Sequence, residues 1–158
     1  MRNTKGFTLV ELLAVITILG LLGIIALEAI ESINRGNKEK AETIQRQNIL
    51  TSAIAYVPTS SIKLPNTNPG ISGCNTHFHT ATGSTTTGND ICEVRITLNY
   101  LVKEGILDEK IENPKTGEYI NMDAAFVRIY YISSLSSLTK EQRELGQFDG
   151  NYFYELVY

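Results

Sequence analysis

The longest apolar stretch of the chain covers residues 7–27, and only Thr8, Glu11, Thr17 and two glycines interrupt it. A helix rises about 1.5 Å per residue, so roughly 20 residues cross a bilayer core of about 30 Å. The pattern therefore predicts a helix that is long and apolar enough to span a membrane.

The residues that precede this stretch carry two positive charges, Arg2 and Lys5. Basic residues at this place favour a cytoplasmic N-terminus, which puts the rest of the chain outside the membrane. The stretch is longer than the apolar core of about 7 to 15 residues found in secretory signals, and no A-x-A-like cleavage site follows Leu27. We therefore expect an anchoring helix that is not removed at its C-terminal end.

Helical spacing of apolar residues continues beyond the stretch, at Ile30, Ile33, Ala41, Ile44, Leu50, Ala53, Ile54 and Val57. Pro58 ends the pattern, because proline lacks the N–H of a helix interior. This predicts one helix over about residues 7–56. Residues 7–28 would lie in a membrane, and residues 29–57 would form an amphipathic continuation against a globular head at 58–158.

The segment 59–89 is rich in Thr, Ser, Asn, Gly and Pro, which predicts a surface loop. A loop of about 30 residues is usually functional or tied down. The two cysteines of the chain, Cys74 and Cys92, are expected to tie it with a disulfide, which fits an oxidising compartment. The two histidines, His77 and His79, are expected to be exposed loop residues.

The segment after this loop is ambiguous. Asp90 and Glu93 have capping-box spacing, and the apolar residues behind them predict a helix that stops at Gly105. Strand alternation over residues 94–98 is the alternative.

Later elements follow from turn, cap and strand signals. Residues 113–117 predict a turn, 126–132 a strand, Thr139 the cap of a helix ending at Gly146, and 152–158 a final strand after a turn at Asp149–Gly150. The expected fold is α+β, with a small antiparallel sheet packed on the long helix and formed by Tyr119, Ile120, Phe126 and the C-terminal strand. The aromatic residues expected in the core and on the sheet faces are Tyr130, Tyr131, Tyr152, Phe153 and Tyr154.

Composition narrows the functional classes. The 158 residues suit one head domain, and the formal charge of −3 argues against nucleic acid as a direct partner, because phosphate binding needs clustered Lys and Arg. No phosphate loop, nucleophile elbow, H-E-x-x-H or C-x-x-C motif occurs in the sequence, so we expect no enzyme and no cofactor.

Two metal sites stand as alternatives to a metal-free head. Cys74, His77, His79 and Cys92 are four zinc-ligand types, but their spacing matches no standard finger. A calcium site in the head is the other alternative, although no D-x-[DN]-x-[DN]-G loop marks it. The expectation for the head is no metal.

Glu11 is the residue that a plain anchor does not explain. A carboxylate within an apolar span costs about 2.5–3.5 kcal/mol on insertion scales, and less near an interface. Such a residue is a functional hypothesis whose partner should be named.

The stretch Lys5-Gly6-Phe7-Thr8-Leu9-Val10-Glu11-Leu12-Leu13 resembles the N-terminal signature of type IV pilins and pseudopilins. The resemblance implies that a prepilin peptidase removes the leader 1–6 by cutting between Gly6 and Phe7, and that Phe7 is then N-methylated. It also implies that Glu11 pairs with the Phe7 ammonium of a neighbouring subunit. A buried charge needs such a partner, and the pair would help to fix the stagger between subunits.

The resemblance further implies a single-pass protein of the cytoplasmic membrane, with its head outside and its partners other pilin subunits, that enters an extracellular or periplasmic filament. Many major pilins carry proline where this chain has Glu28. That departure favours a minor pilin or a pseudopilin of a secretion or competence system. The alternatives are a non-polymerising anchored module that binds a ligand with the loop 59–89, and an anchored enzyme.

Overall fold

The computed structural model describes residues 8–85, 88–132 and 137–158. Its helices are α1 (Leu9–Tyr56), α2 (Leu98–Lys103) and α3 (Lys140–Leu145), and a 3₁₀ turn covers Val57–Thr59. Its strands are β1 (Asn75–Thr80), β2 (Gly83–Thr85), β3 (Ile91–Thr97), β4 (Phe126–Tyr131), β5 (Gln147–Asp149) and β6 (Tyr152–Val157).

Helix α1 confirms the long helix predicted from the sequence. It runs for 48 residues and ends at Tyr56, and Pro58 lies in the 3₁₀ turn that follows. The chain divides into two compact units, Met1–Glu39 and Lys40–Tyr158. The second unit contains the last turns of α1 and the whole sheet. From here on, the head means this unit, which is larger than the head expected at 58–158.

The strands form one sheet in the order β2-β1-β3-β4-β6-β5. Strands β1 and β3 pair in parallel, and the other four neighbouring pairs are antiparallel. The α+β fold is therefore confirmed, with a sheet that is mixed where an antiparallel one was expected. After β1 the chain turns back as β2, which forms the edge of the sheet. It then reverses direction again before β3, so that β3 runs parallel to β1.

The core of the head lies between one face of the sheet and the end of α1. Alternate residues of three strands face inward, and the helix contributes residues one turn apart. The fully buried members include Leu50, Ala53, Val94, Ile96, Val127, Ile129 and Tyr154. On the opposite face of the sheet, Leu138 covers Tyr130 and Phe153 in a smaller cluster.

Three predictions of secondary structure were wrong. The expected loop 59–89 contains β1 and β2, and the expected helix from residue 91 is strand β3. Tyr119 lies outside the strands and is 67% exposed, making only an isolated bridge with Glu112. In the first two cases the deciding interactions are pairings with distant strands, which local composition does not contain.

Several local signals were confirmed. Thr139 caps α3 through a capping box with Gln142. Gly105 follows α2 with a φ of +74°, a conformation that favours glycine and ends the helix. Gly117 closes the turn at 113–117, where its N–H donates to the Asn113 carbonyl at 2.8 Å.

Candidate functional site

The candidate site is the start of α1, where Thr8 and Glu11 form a capping box. The backbone N–H of Glu11 donates to Thr8 Oγ1 at 3.3 Å, and Glu11 Oε2 accepts from the backbone N–H of Thr8 at 2.9 Å. The Thr8 hydroxyl also donates to Oε2 at 2.9 Å. Two N–H groups that a helix start leaves unpaired are satisfied in this way.

The sequence already contained this signal, since Thr-x-x-Glu before an apolar run is the capping-box pattern. From the sequence, Glu11 was interpreted as an assembly residue. The structure adds a local function, because Glu11 holds the first turn of its own helix. Its second carboxylate oxygen, Oε1, makes no hydrogen bond within the described ranges and remains able to accept one.

Gly6 and Phe7, the two residues predicted to flank the cleavage site, lie outside the described residues. Cleavage and N-methylation at this place therefore stay predictions. The first described residue, Thr8, comes immediately after them.

The apolar side chains that follow the cap are exposed. Across residues 9–27 the large hydrophobic side chains are between 44% and 82% exposed, with Val15 at the lower limit and Leu9 at the upper. Among the described residues, α1 together with the 3₁₀ turn that follows it, Leu9–Thr59, is the one helical segment long and apolar enough to cross a membrane. So large an apolar surface on one element marks a place where lipid or protein covers it.

The one hydroxyl within this apolar surface is satisfied inside the helix. Thr17 Oγ1 donates to the carbonyl of Leu13 at 2.5 Å and lies 3.2 Å from the carbonyl of Ala14. A polar group that pairs with its own backbone costs little when water is removed. Thr17 is thus compatible with a lipid or filament environment.

Residues 1–27 match the family model described as the prokaryotic N-terminal methylation motif. This is the type IV pilin and pseudopilin signature. No curated protein and no solved structure matches the chain. The signature and the apolar helix both fit membrane anchoring. The pilin family is structural rather than catalytic.

The predicted disulfide between Cys74 and Cys92 is present in the head, with the two Cα atoms 5.5 Å apart. It joins the residue before β1 to the start of β3, so it closes the segment that contains β1 and β2. Because both sulfurs are in the bond, neither can serve as a thiolate ligand, and the four-ligand zinc alternative loses two of its members.

The prediction that His77 and His79 are exposed was wrong. They are 1% and 6% exposed, because strand β1 points them inward, opposite Val94 and Ile96 of β3. The alternation of residue types pointed the other way, because Phe78, the apolar residue between the two histidines, is 40% exposed. Within the described ranges both ring nitrogens of His77 and Nε2 of His79 are buried without a hydrogen-bond partner.

Burial lowers the pKa of His79, and the neighbouring His77 lowers it further. His79 is therefore neutral at pH 7, which suits its place beside Tyr100, with the ring centroids 5.8 Å apart. Neutral imidazole in an apolar wall avoids the cost of a buried charge.

A network of charged residues occupies the outer face of the sheet. Glu93, which is 7% exposed, accepts a hydrogen bond from Arg128 at 2.7 Å and another from Arg95. Burial alone would raise the pKa of Glu93, but the bonds from Arg128 and Arg95 outweigh it and lower the pKa. The side chain predicted to cap a helix instead links two arginines that face each other across β3 and β4.

Proposed function

We propose that this chain is a structural subunit, a minor pilin or pseudopilin, of a type IV pilus-like filament. The observation that carries the proposal is the methylation motif at residues 1–27 joined to an exposed apolar helix with Glu11 in its first turn. A prepilin peptidase would cut between Gly6 and Phe7, and the head would lie outside the cytoplasmic membrane.

The geometry at Glu11 supports an assembly role. Cleavage would create an ammonium group at Phe7, at the start of an apolar helix. In a filament core that charge would need a partner, because an unpaired buried charge is strongly destabilising. Glu11 accepts its capping hydrogen bonds through Oε2. Oε1 can therefore accept a hydrogen bond from the Phe7 ammonium of a neighbouring subunit while the first turn of the helix stays capped.

Intact mass and N-terminal sequencing of protein from native membranes or sheared surface material test the processing. We expect a chain that starts at N-methylated Phe7. The matched control is the same protein from cells without an active prepilin peptidase, which should keep Met1. A chain that starts at Met1 in cells with the active peptidase would contradict the proposal and favour the non-polymerising anchored module.

A filament-incorporation assay tests the pair. Glu11→Ala is expected to be processed normally but to enter filaments at least about tenfold less than the parent, as expected for loss of a buried charge partner. Glu31→Ala is the matched control, because Glu31 is an exposed carboxylate on the same helix. Equal incorporation of Glu11→Ala and the parent would mean that Glu11 only caps its own helix.

A further inference from the structure

A cleft of about 240 Å³ opens in the head between the β1–β2 hairpin, the segment after α1, and helix α2. The residues that line it include Ser61, Lys63, His79, Ser84, Tyr100 and Lys103. All of them belong to the head, so the cleft is the same whether lipid or protein surrounds the N-terminal part of α1.

The charge in the cleft has one sign. Two lysines and no carboxylate occur among the described residues that line it, although the whole chain has a formal charge of −3. Glu104, the residue just after α2, does not line the cleft. It accepts a hydrogen bond from Tyr56 Oη at 3.0 Å, and that hydroxyl lies 3.4 Å from Tyr100 Oη in the cleft wall. A concave positive patch on an acidic protein attracts anions from solution.

The two lysines differ in how they are held. Lys103 Nζ donates to the carbonyl of Ala81 at 2.9 Å, which fixes the ammonium at the hairpin and leaves it two further N–H donors. Lys63 is exposed and forms no ion pair or hydrogen bond within the described parts of the chain. One preordered and one adaptable cation therefore face the same space.

The remaining lining is built to fix a small polar ligand. The buried ring of His79 packs edge-on against Tyr100 and gives the cleft a rigid aromatic wall. Ser61 and Ser84 add hydroxyl groups that can donate to an oxygen. The volume is below the range of about 300–1,000 Å³ typical of sites for drug-sized ligands, so it suits one charged group or one sugar ring.

We propose that this cleft binds a small oxyanion, either free or as the acidic group of a saccharide, between the ammonium groups of Lys63 and Lys103. The proposal goes beyond filament formation and would hold for an anchored module as well. Its chemistry is recognition by charge-assisted hydrogen bonds, with no covalent step.

The test is an NMR titration of the ¹⁵N-labelled full chain in detergent micelles, at constant ionic strength kept by chloride. The probes are inorganic phosphate and glucuronate, with glucose as the neutral control. We expect saturable shifts at the amides of Ser84 and Tyr100 with at least one of the two anions and none with glucose. Similar affinities for phosphate and glucuronate would indicate a free oxyanion, and tighter glucuronate binding would indicate an acidic sugar.

Matched variants separate a site from general charge attraction. Lys63→Gln should weaken binding roughly three- to tenfold, whereas Lys63→Arg should retain it. Lys140→Gln is the control, because Lys140 is an exposed lysine on α3, outside the cleft. No saturable shift with either anion, or equal weakening by Lys63→Gln and Lys140→Gln, would overturn the proposal. The amide spectrum of each variant without ligand reports whether its head remains folded.

Discussion

The two ends of helix α1 use the same residue types for opposite purposes. Leu19, in the N-terminal unit, is 60% exposed, whereas Leu50, in the head, is completely buried against the sheet. Both sit in regular helix with apolar neighbours. The same side chain is thus buried where strands of the head cover the helix, and exposed where residues 9–27 present a continuous apolar surface.

Replacing each leucine with alanine tests this difference in burial most directly. Leu50→Ala should lower the free energy of unfolding of the head by about 2–5 kcal/mol, because it removes buried contacts and leaves a cavity. Leu19→Ala should change it by less than about 0.5 kcal/mol, as exposed positions do. Denaturant unfolding in micelles, followed by near-UV circular dichroism of the head tyrosines, measures both. Similar losses for the two variants would mean that residue 19 packs against this chain's own head.

Removing the disulfide should have the next largest effect, and only in the head. The Cys74→Ser/Cys92→Ser double variant should lose about 3 kcal/mol in the chain-entropy model, given a separation of 18 residues. The same unfolding assay without reductant measures it. Reductant should destabilise the parent similarly and leave the double variant unchanged. A loss below about 1 kcal/mol would mean that β1 is held by its strand pairing with β3 alone.

The smallest expected effect concerns pH. The pKa of His79 is lowered from its ordinary value of 6.5 in the folded head, so near this value the unfolded chain binds more protons than the folded one. The stability contributed by neutral His79 should therefore be fully present above about pH 7 and be lost as the pH falls below its unfolded pKa. His77 and Tyr100 lie beside His79, and Lys63 and Lys103 line the same cleft.

Unfolding measured from pH 7.5 down to about pH 5 tests this, with His79→Leu as the comparison. The parent should lose stability more steeply than His79→Leu over this interval. Glu93 does not contribute to the pH dependence in this interval. Its pKa is lowered from 4.5, so the stability that its ionised carboxylate provides is lost only at more acid pH. Parallel pH profiles for the two proteins would contradict the prediction.

The sequence predicted best where structure depends on local chemistry. The end of α1 near Pro58, the cap at Thr139 and the stop at Gly105 each depend on a few adjacent residues, and each was confirmed. The disulfide was also predicted, because the chain has only two cysteines. These features need no knowledge of distant partners.

The wrong predictions concern segments whose secondary structure depends on pairing with strands elsewhere in the chain. Residues 91–97 have both a capping-box spacing and strand alternation, and pairing with β1 and β4 selects the strand. The segment 75–80 has a polar composition typical of loops, yet burial of His77 and His79 opposite β3 makes it part of the sheet. The proposed oxyanion cleft was also beyond reach, since it brings Lys63, Ser84 and Lys103 together from three segments.

The disulfide determines what a single proteolytic cut in the β1–β2 hairpin would do to the head. Cys74 and Cys92 enclose the whole hairpin of β1 and β2, including its exposed turn. A protease that cuts one peptide bond between these cysteines would leave the two fragments covalently joined. The nicked subunit would keep its connection from helix α1 to strand β6, so a single cut there would not release the head from its anchor.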